Sequence, residues 1–188
     1  MTFNLVFEIG IWNAWIFMSI FIIQMFTMFI AGKYIWEKSQ VPIQAKRNYY
    51  EKYVGSIANF FWLIALIYSI FLPLKLDTIW FFIGLIIYIL GVIILIKANY
   101  DFIKQKPNQI IKTGIYKYSR HPLYLSTFFI LIGTGIATLS WLFLLLNIII
   151  IYFFYKESLI EERHLIKIFN DDYKEYMLHV SQWIGRRK

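Results

Sequence analysis

The 188-residue chain has no cysteine, which excludes a disulfide-stapled secreted fold, thiolate nucleophiles, Cys-ligated zinc and iron–sulfur clusters. Charge is scarce as well. With 16% charged, 60% hydrophobic and 21% aromatic residues and a mean hydropathy of +0.59, the chain is too apolar for a soluble globular domain. Only eleven Asp and Glu offset nineteen Lys and Arg, a formal charge of +8. In a soluble protein that balance would suggest nucleic acid. In so apolar a chain it marks one face of a membrane protein, able to meet anionic lipid head groups, and no nucleic-acid partner is expected. The sequence has no Gly-rich phosphate loop, internal repeat or low-complexity linker, so one membrane domain over 1–188 with no metal site is expected.

What is present is a set of long uncharged runs. A bilayer core of ~30 Å requires roughly 20 apolar residues in a helix. Residues 9–31, 54–74 and 78–96 are free of charge, and so is 122–155, which is too long for one span and divides near 137–140. The expected fold is all-α and polytopic. Five transmembrane helices occupy about 9–31, 54–74, 78–96, 122–138 and 139–155, followed by cytoplasmic helices at about 156–169 and 171–180. The first run is expected to be a retained span, because no basic residue precedes it. Five spans put eighteen of the nineteen basic residues on one side, with the N-terminus outside and the C-terminus cytoplasmic. Trp12, Trp15, Tyr34, Trp36, Trp80, Tyr100, Trp141, Tyr152 and Tyr155 fall at span ends and suit interfacial belts. Gly84, Gly91, Gly133 and Gly135 suit close helix packing, including a homodimer contact.

Two cytoplasmic segments concentrate the polar residues. In KQKPNQIIKTGIYKYSRHPLY, residues 104–124, Pro107 is expected to stop the helix continuing from the third span, and Thr113-Gly114 is a turn signal. His121-Pro122 then opens the fourth span, since proline suits a first helical turn. A helix start offers unpaired amides and partial positive charge to an anionic ligand group, and Arg120 adds a full charge beside it. The alternative is that Arg120 snorkels to lipid phosphate and His121 only caps the helix. In the second segment, residues 156–183, Glu157, Glu161 and His164 lie at spacings of four and three and share one helical face. Glu162 is read as a solvated residue balanced by Arg163, Lys156 and Lys167. Asn170 is expected to end this helix in a left-handed conformation and Asp171 to cap the next, which carries Tyr173 and Tyr176.

These segments resemble the isoprenylcysteine carboxyl methyltransferase family, including its bacterial and archaeal relatives. The likeness runs from Lys112 to about Met177. Its first motif is Gly114-Ile115-Tyr116 with Arg120-His121-Pro122-Leu123-Tyr124, and its second is Glu161-Glu162, Phe169-Asn170, Tyr173 and Tyr176. The resemblance implies an integral membrane methyltransferase of a prokaryotic cell membrane, with S-adenosyl-L-methionine in a pocket closed by the C-terminal cytoplasmic helices. It implies cofactor contacts at Asn108, Gln109, Ile110, Ile111, Tyr116, His121, Pro122, Leu123, Tyr124 and Glu161. A zwitterionic amino acid carrying adenosine needs donors for its carboxylate, an acceptor for its ammonium and apolar walls. Helix-start amides with His121, then Glu161, then Ile111, Leu123 and the tyrosines match those needs in turn.

Two residues depart from the family pattern. Asn170 replaces a glycine, and Asn is the next-best residue for that conformation. Glu157 stands where carboxyl methyltransferases of the family carry a substrate-facing arginine. A carboxylate acceptor is therefore in question, and the expected acceptor is a lipophilic hydroxyl, phenol, thiol or amine entering from the bilayer. Glu157 would be its hydrogen-bond acceptor or general base, and with Arg120 it makes up the expected catalytic pair. Two other classes fit parts of the sequence: an NADPH-dependent sterol-type membrane reductase, which also carries an RHP-x-Y element, and a non-catalytic membrane scaffold.

Overall fold

The computed structural model describes residues 8–30, 32, 47–105 and 109–185. Among these the regular structure is helical: α1 (Trp15–Ile30), α2 (Tyr49–Ser69), α3 (Ile79–Lys104), a 3₁₀ turn (Gly114–Lys117), α4 (Pro122–Ala137), α5 (Trp141–Phe169) and α6 (Asp171–His179). Helices α2, α3 and α5 are long and apolar enough to cross a membrane. Helices α1 and α4 are apolar but have 16 residues each, about 24 Å of helix against a core of ~30 Å.

Helix ends fall where local hydrogen bonding puts them, and several differ from the apolar run lengths. The first apolar run becomes helical only at Trp15, because Asn13 turns residues 8–14 back on the chain after α2. Its Nδ2 donates to Ile70 O at 2.7 Å, the Ala14 N–H donates to Leu72 O at 2.8 Å, and the Leu74 N–H donates to Trp12 O at 2.9 Å. The second run starts its helix early, at Tyr49, and stops at Ser69. At its start Asn48 Oδ1 accepts the Glu51 N–H at 2.8 Å while Glu51 Oε2 accepts the Asn48 N–H at 3.1 Å, a reciprocal capping box. Helix α3 continues past Lys97 to Lys104, and Gln105 is already extended; Pro107 lies outside the described residues.

The chain reverses between α4 and α5 at Leu139, with φ at +52°, and Ser140 Oγ caps α5 by accepting the Phe143 N–H at 3.2 Å. Helix α5 then runs unbroken for 29 residues, about 43 Å, so residues 156–169 carry it beyond its apolar stretch. At its end Asn170 has a positive φ, +46°, but its ψ of −118° lies outside the left-handed helical region that was expected. Asp171 does not cap α6: it is the first residue of that helix and pairs with Lys174 at 2.9 Å.

The tightest packing joins α3 to α4. A Cβ placed on Gly84 would lie 2.5 Å from both Gly133 O and Ala137 N, and one on Gly133 would lie 2.6 Å from Tyr88 N. Gly91 meets Ile130 and Phe129 in the same seam, and Gly135 meets Leu144 of α5. These glycines serve the close helix packing expected of them within one chain, where they let two backbones touch. Phe17, Phe21, Leu95, Ile130, Phe143 and Ile150 fill the core around this seam. Half-buried Tyr88 donates to Phe17 O at 3.0 Å and buried Asn147 donates to Leu131 O at 2.8 Å, so polar side chains join helices inside the apolar region. Outward-facing Phe60, Ile86, Ile93 and Ile148 are all exposed, as lipid-facing surface would be. Trp12, Trp15, Trp80, Tyr100 and Trp141 are exposed near helix ends, whereas Tyr152 and Tyr155 are exposed within the continuous α5; Tyr34 and Trp36 lie outside the described residues.

Because the seam is backbone against backbone, Gly133→Val is expected to destabilise the detergent-solubilised protein by about 2 kcal/mol or more. Thermal unfolding checks this, and an unchanged midpoint would refute the packing argument.

Candidate functional site

The polar site forms where the second half of α5 meets the start of α4. Asp101, on the extended part of α3, prepares the approach. Its Oδ2 accepts the Ile115 N–H at 2.7 Å, and Gly114, at φ +57°, passes so close that a Cβ would lie 1.9 Å from that oxygen. The 3₁₀ turn then buries Tyr116 and delivers Ser119, Arg120 and His121 to α5.

Glu162 is the centre of the cluster. Its Oε1 takes Arg120 Nε and Nη2, each at 2.8 Å, and lies 3.0 Å from His121 Nε2. Arg120 Nη1 donates to Val180 O at 2.9 Å and Met177 O at 3.2 Å, so its guanidinium is engaged by protein on all sides. His121 turns its other nitrogen, Nδ1, to Glu161 Oε2 at 3.5 Å, and Tyr124 donates its hydroxyl to Glu161 Oε1 at 3.1 Å. The C-terminal segment closes over this group. The Arg120 and His121 N–H groups donate to Ser181 O at 3.1 Å and Gln182 O at 3.3 Å, the Gly185 N–H donates to Tyr118 O at 2.8 Å, and Gln182 Nε2 donates to Ser158 Oγ at 3.0 Å. Trp183 follows, its ring 5.1 Å from Phe128 and 6.2 Å from both His121 and Tyr155.

Burial alone would push the Glu162 carboxyl up, but the hydrogen bond and charge of His121 and then Arg120 outweigh it and hold it below the ordinary carboxylate range. Burial alone would lower His121; hydrogen bonds to Glu161 and Glu162, with their charges, raise it instead. Desolvation drives the hydroxyls of Tyr116, Tyr173 and Tyr176 upward, so all three stay neutral.

The face expected to carry Glu157, Glu161 and His164 looks mainly toward α2. Glu157 is buried and pairs with Arg47 at 2.5 Å. His164 lies 3.4 Å from Glu51 Oε2, and Arg163 lies 3.6 Å from Glu51 Oε1. Glu162, read from the sequence as solvated, is among the buried charges instead. Helix α5 buries two adjacent faces, one toward α2 and one toward α4, and a one-face assignment misses the second.

The expected cofactor residues form two groups. His121, Pro122, Leu123, Tyr124 and Glu161 come together at the start of α4. Tyr116, whose carbonyl accepts the Tyr176 hydroxyl at 2.6 Å, and Ile110, packed on Tyr173, Tyr176 and Val180, lie along α6. Gln109 is exposed and accepts from Gln105 Nε2 at 3.2 Å, Ile111 is half-buried, and Asn108 lies outside the described residues. Arg47, Glu162 and Trp183 were not anticipated. The Ser158 and Glu162 spacing of four was a usable signal for Glu162, whereas nothing local links Arg47 to residue 157.

A family profile described as phospholipid methyltransferase matches residues 78–172, just over half of the chain and all of α3, α4 and α5. The chain belongs to the phospholipid methyltransferase family. It is 38% identical over 74 residues to protein-S-isoprenylcysteine O-methyltransferase of Saccharomyces cerevisiae, covering 39% of this chain and 31% of that protein. The protein of the same name from Schizosaccharomyces pombe is 29% identical over 82 residues, covering 43% of this chain and 35% of its own. The chain thus spans about a third of the length of the curated relatives it matches. Their shared name agrees with the family that the motifs at 114–124 and 161–176 resemble. Arg47 and Trp183 fall outside the segment the phospholipid methyltransferase profile covers.

The cluster predicts a signed pH dependence. The contribution of His121 is complete below its ordinary value of 6.5 and fades as pH rises through its raised value. That of Glu162 is complete above its ordinary 4.5 and fades as pH falls through its lowered value. Stability from the pair should therefore be greatest between pH 4.5 and 6.5. Glu162→Ala is expected to cost about 3–5 kcal/mol and to flatten both flanks; a thermal-midpoint profile of unchanged shape in that variant would contradict the assignment.

Proposed function

We propose that the protein is an integral membrane methyltransferase that uses S-adenosyl-L-methionine and acts on a lipophilic acceptor. In this reading the five apolar helices cross the bilayer with the N-terminus outside, and α6 and the C-terminal segment close the site on the cytoplasmic side. The observation that carries it is Glu161. Its side chain is held between Tyr124 and His121 yet keeps 21% exposure, beside the first turn of α4.

That setting fits the cofactor's chemistry. Glu161 is a fixed acceptor for an ammonium group. The Leu123 and Tyr124 N–H groups precede the first ladder bond, from the Leu125 N–H to His121 O at 3.0 Å, and are placed to donate to a carboxylate. Trp183, Phe128 and Tyr124 offer aromatic walls. The bound cofactor supplies an electrophilic methyl group on a sulfonium. The protein's part is to orient the donor and acceptor and to exclude water, with no protein nucleophile required. Arg120, engaged by Glu162 and two carbonyls, acts as a positioning residue that fastens α6 and the C-terminal segment to α4. Glu157 Oε2, buried and without a hydrogen-bond partner among the described residues, is the acceptor-side oxygen.

Calorimetry on detergent-purified protein should show binding of S-adenosylhomocysteine and none of NADPH. Glu161→Gln is expected to weaken S-adenosylhomocysteine by at least about tenfold, the loss of one charge-assisted contact. Binding of NADPH alone would select the reductase class, and binding of neither would leave a scaffold.

A further inference from the structure

The chain changes character at the end of α6. That helix shows Asp171, Asp172 and Glu175 to solvent, whereas residues 176–188 contain no acid and end in Arg186-Arg187-Lys188. Within this acid-free stretch Trp183 and Ile184 stand side by side in the sequence, and Ile184 is 67% exposed. An exposed isoleucine is ordinary by itself. Its neighbours decide what surrounds it.

Residues 181–185 form a closed strap. The Ser181 N–H donates to Gly185 O at 3.0 Å, and Gly185, at φ +111°, gives its own N–H to Tyr118 O at 2.8 Å. Trp183 and Ile184 are carried between these bonds. The Trp183 ring lies 5.1 Å from Phe128, in the second turn of α4, and 6.2 Å from Tyr155, the last residue of the uncharged run of α5. The indole is therefore level with the point where the apolar surface of both helices ends. Tyr118 and Tyr155 are exposed around the strap, and so is Lys117.

Tryptophan and tyrosine rings with Lys and Arg close by are what an amphipathic segment presents to a head-group layer. The strap continues the outer surface of α4 and α5, and its lack of acids suits the negative cytoplasmic leaflet. Both features favour a lipid surface over a protein partner.

The strap is also tied to the site. Ser181 O and Gln182 O accept the Arg120 and His121 N–H groups at 3.1 and 3.3 Å, and Gln182 O accepts the Ser119 hydroxyl at 3.2 Å. Whatever seats the strap thus seats the residues that lead into α4.

We propose that residues 181–185 are an interfacial anchor, with Trp183 and Ile184 in the head-group layer of the cytoplasmic leaflet, and that docking on the bilayer steadies His121 at the site. The anchor rests on α4 and α5 crossing the membrane. Only its effect on the cofactor rests on the methyltransferase reading.

Because the chain has no cysteine, one introduced thiol is a unique labelling site. Ile184→Cys and, on the acidic helix α6, Glu175→Cys each receive an environment-sensitive fluorophore in full-length protein, held in nanodiscs of phosphatidylcholine and phosphatidylglycerol. Lipid carrying a shallow nitroxide should quench the label at 184 about threefold more than that at 175, and aqueous iodide should give the reverse order. In unlabelled protein, Ile184→Asp should speed hydrogen exchange of the Arg120 and His121 amides by about tenfold, and Ile184→Leu should not. An isoleucine facing water would tolerate the aspartate. Equal iodide access at the two labels would overturn the anchor, and exchange in Ile184→Asp identical to wild type would overturn its hold on His121. S-adenosylhomocysteine, titrated into the same nanodiscs, should bind Ile184→Asp more weakly than wild type. No binding to wild type would sink the methyltransferase reading while the labels still decide the anchor, and equal affinity in both would sink only the coupling to the site.

Discussion

A carboxylate removed from water must find its hydrogen bonds inside the protein, and Glu162 finds its partners at Arg120 and His121. Those two residues immediately precede Pro122, so satisfying Glu162 fixes where α4 begins relative to α5. Arg120 also reaches the carbonyls of Met177 and Val180, so the same charge holds the end of α6 and the segment that follows. One buried anion thus sets the relation of three parts of the chain. The proposed site is what those parts enclose.

The second constraint lies in the apolar region. Glycines let α3 and α4 touch along their backbones, so the seam of α4 against α3 and the polar clamp against α5 hold that helix from two sides. His121 and Tyr124 can then present fixed groups to Glu161 without any rearrangement of the helix that carries them. Preorganisation of this kind suits a methyl displacement, in which the protein contributes position and dryness more than covalent chemistry.

Much of this was legible in the sequence. Uncharged runs located the apolar helices, because a bilayer-sized stretch without charge has few other uses. The Arg-His-Pro-x-Tyr element and Glu161 were readable because turn, helix start and periodicity are local properties. Helix ends were less legible: Asn13 and Asn48 set two of them by hydrogen bonds that hydropathy does not register. Glu162 was misjudged because a charged residue beside another charged residue reads as solvated, whereas its burial depends on Arg120, 42 residues earlier. The ion pair of Glu157 with Arg47 is longer-range still, since only the packing of α2 on α5 brings those residues together.

The central claim is that the junction of α4, α5 and the C-terminal segment holds an S-adenosyl ligand. Hydrogen–deuterium exchange of the detergent-solubilised protein with and without S-adenosylhomocysteine tests it most directly. The account predicts added protection at residues 118–125, 157–164 and 181–185, with none at the 8–14 and 70–75 knot on the opposite side. Protection confined to that knot, or no change at the junction under saturating ligand, would contradict it.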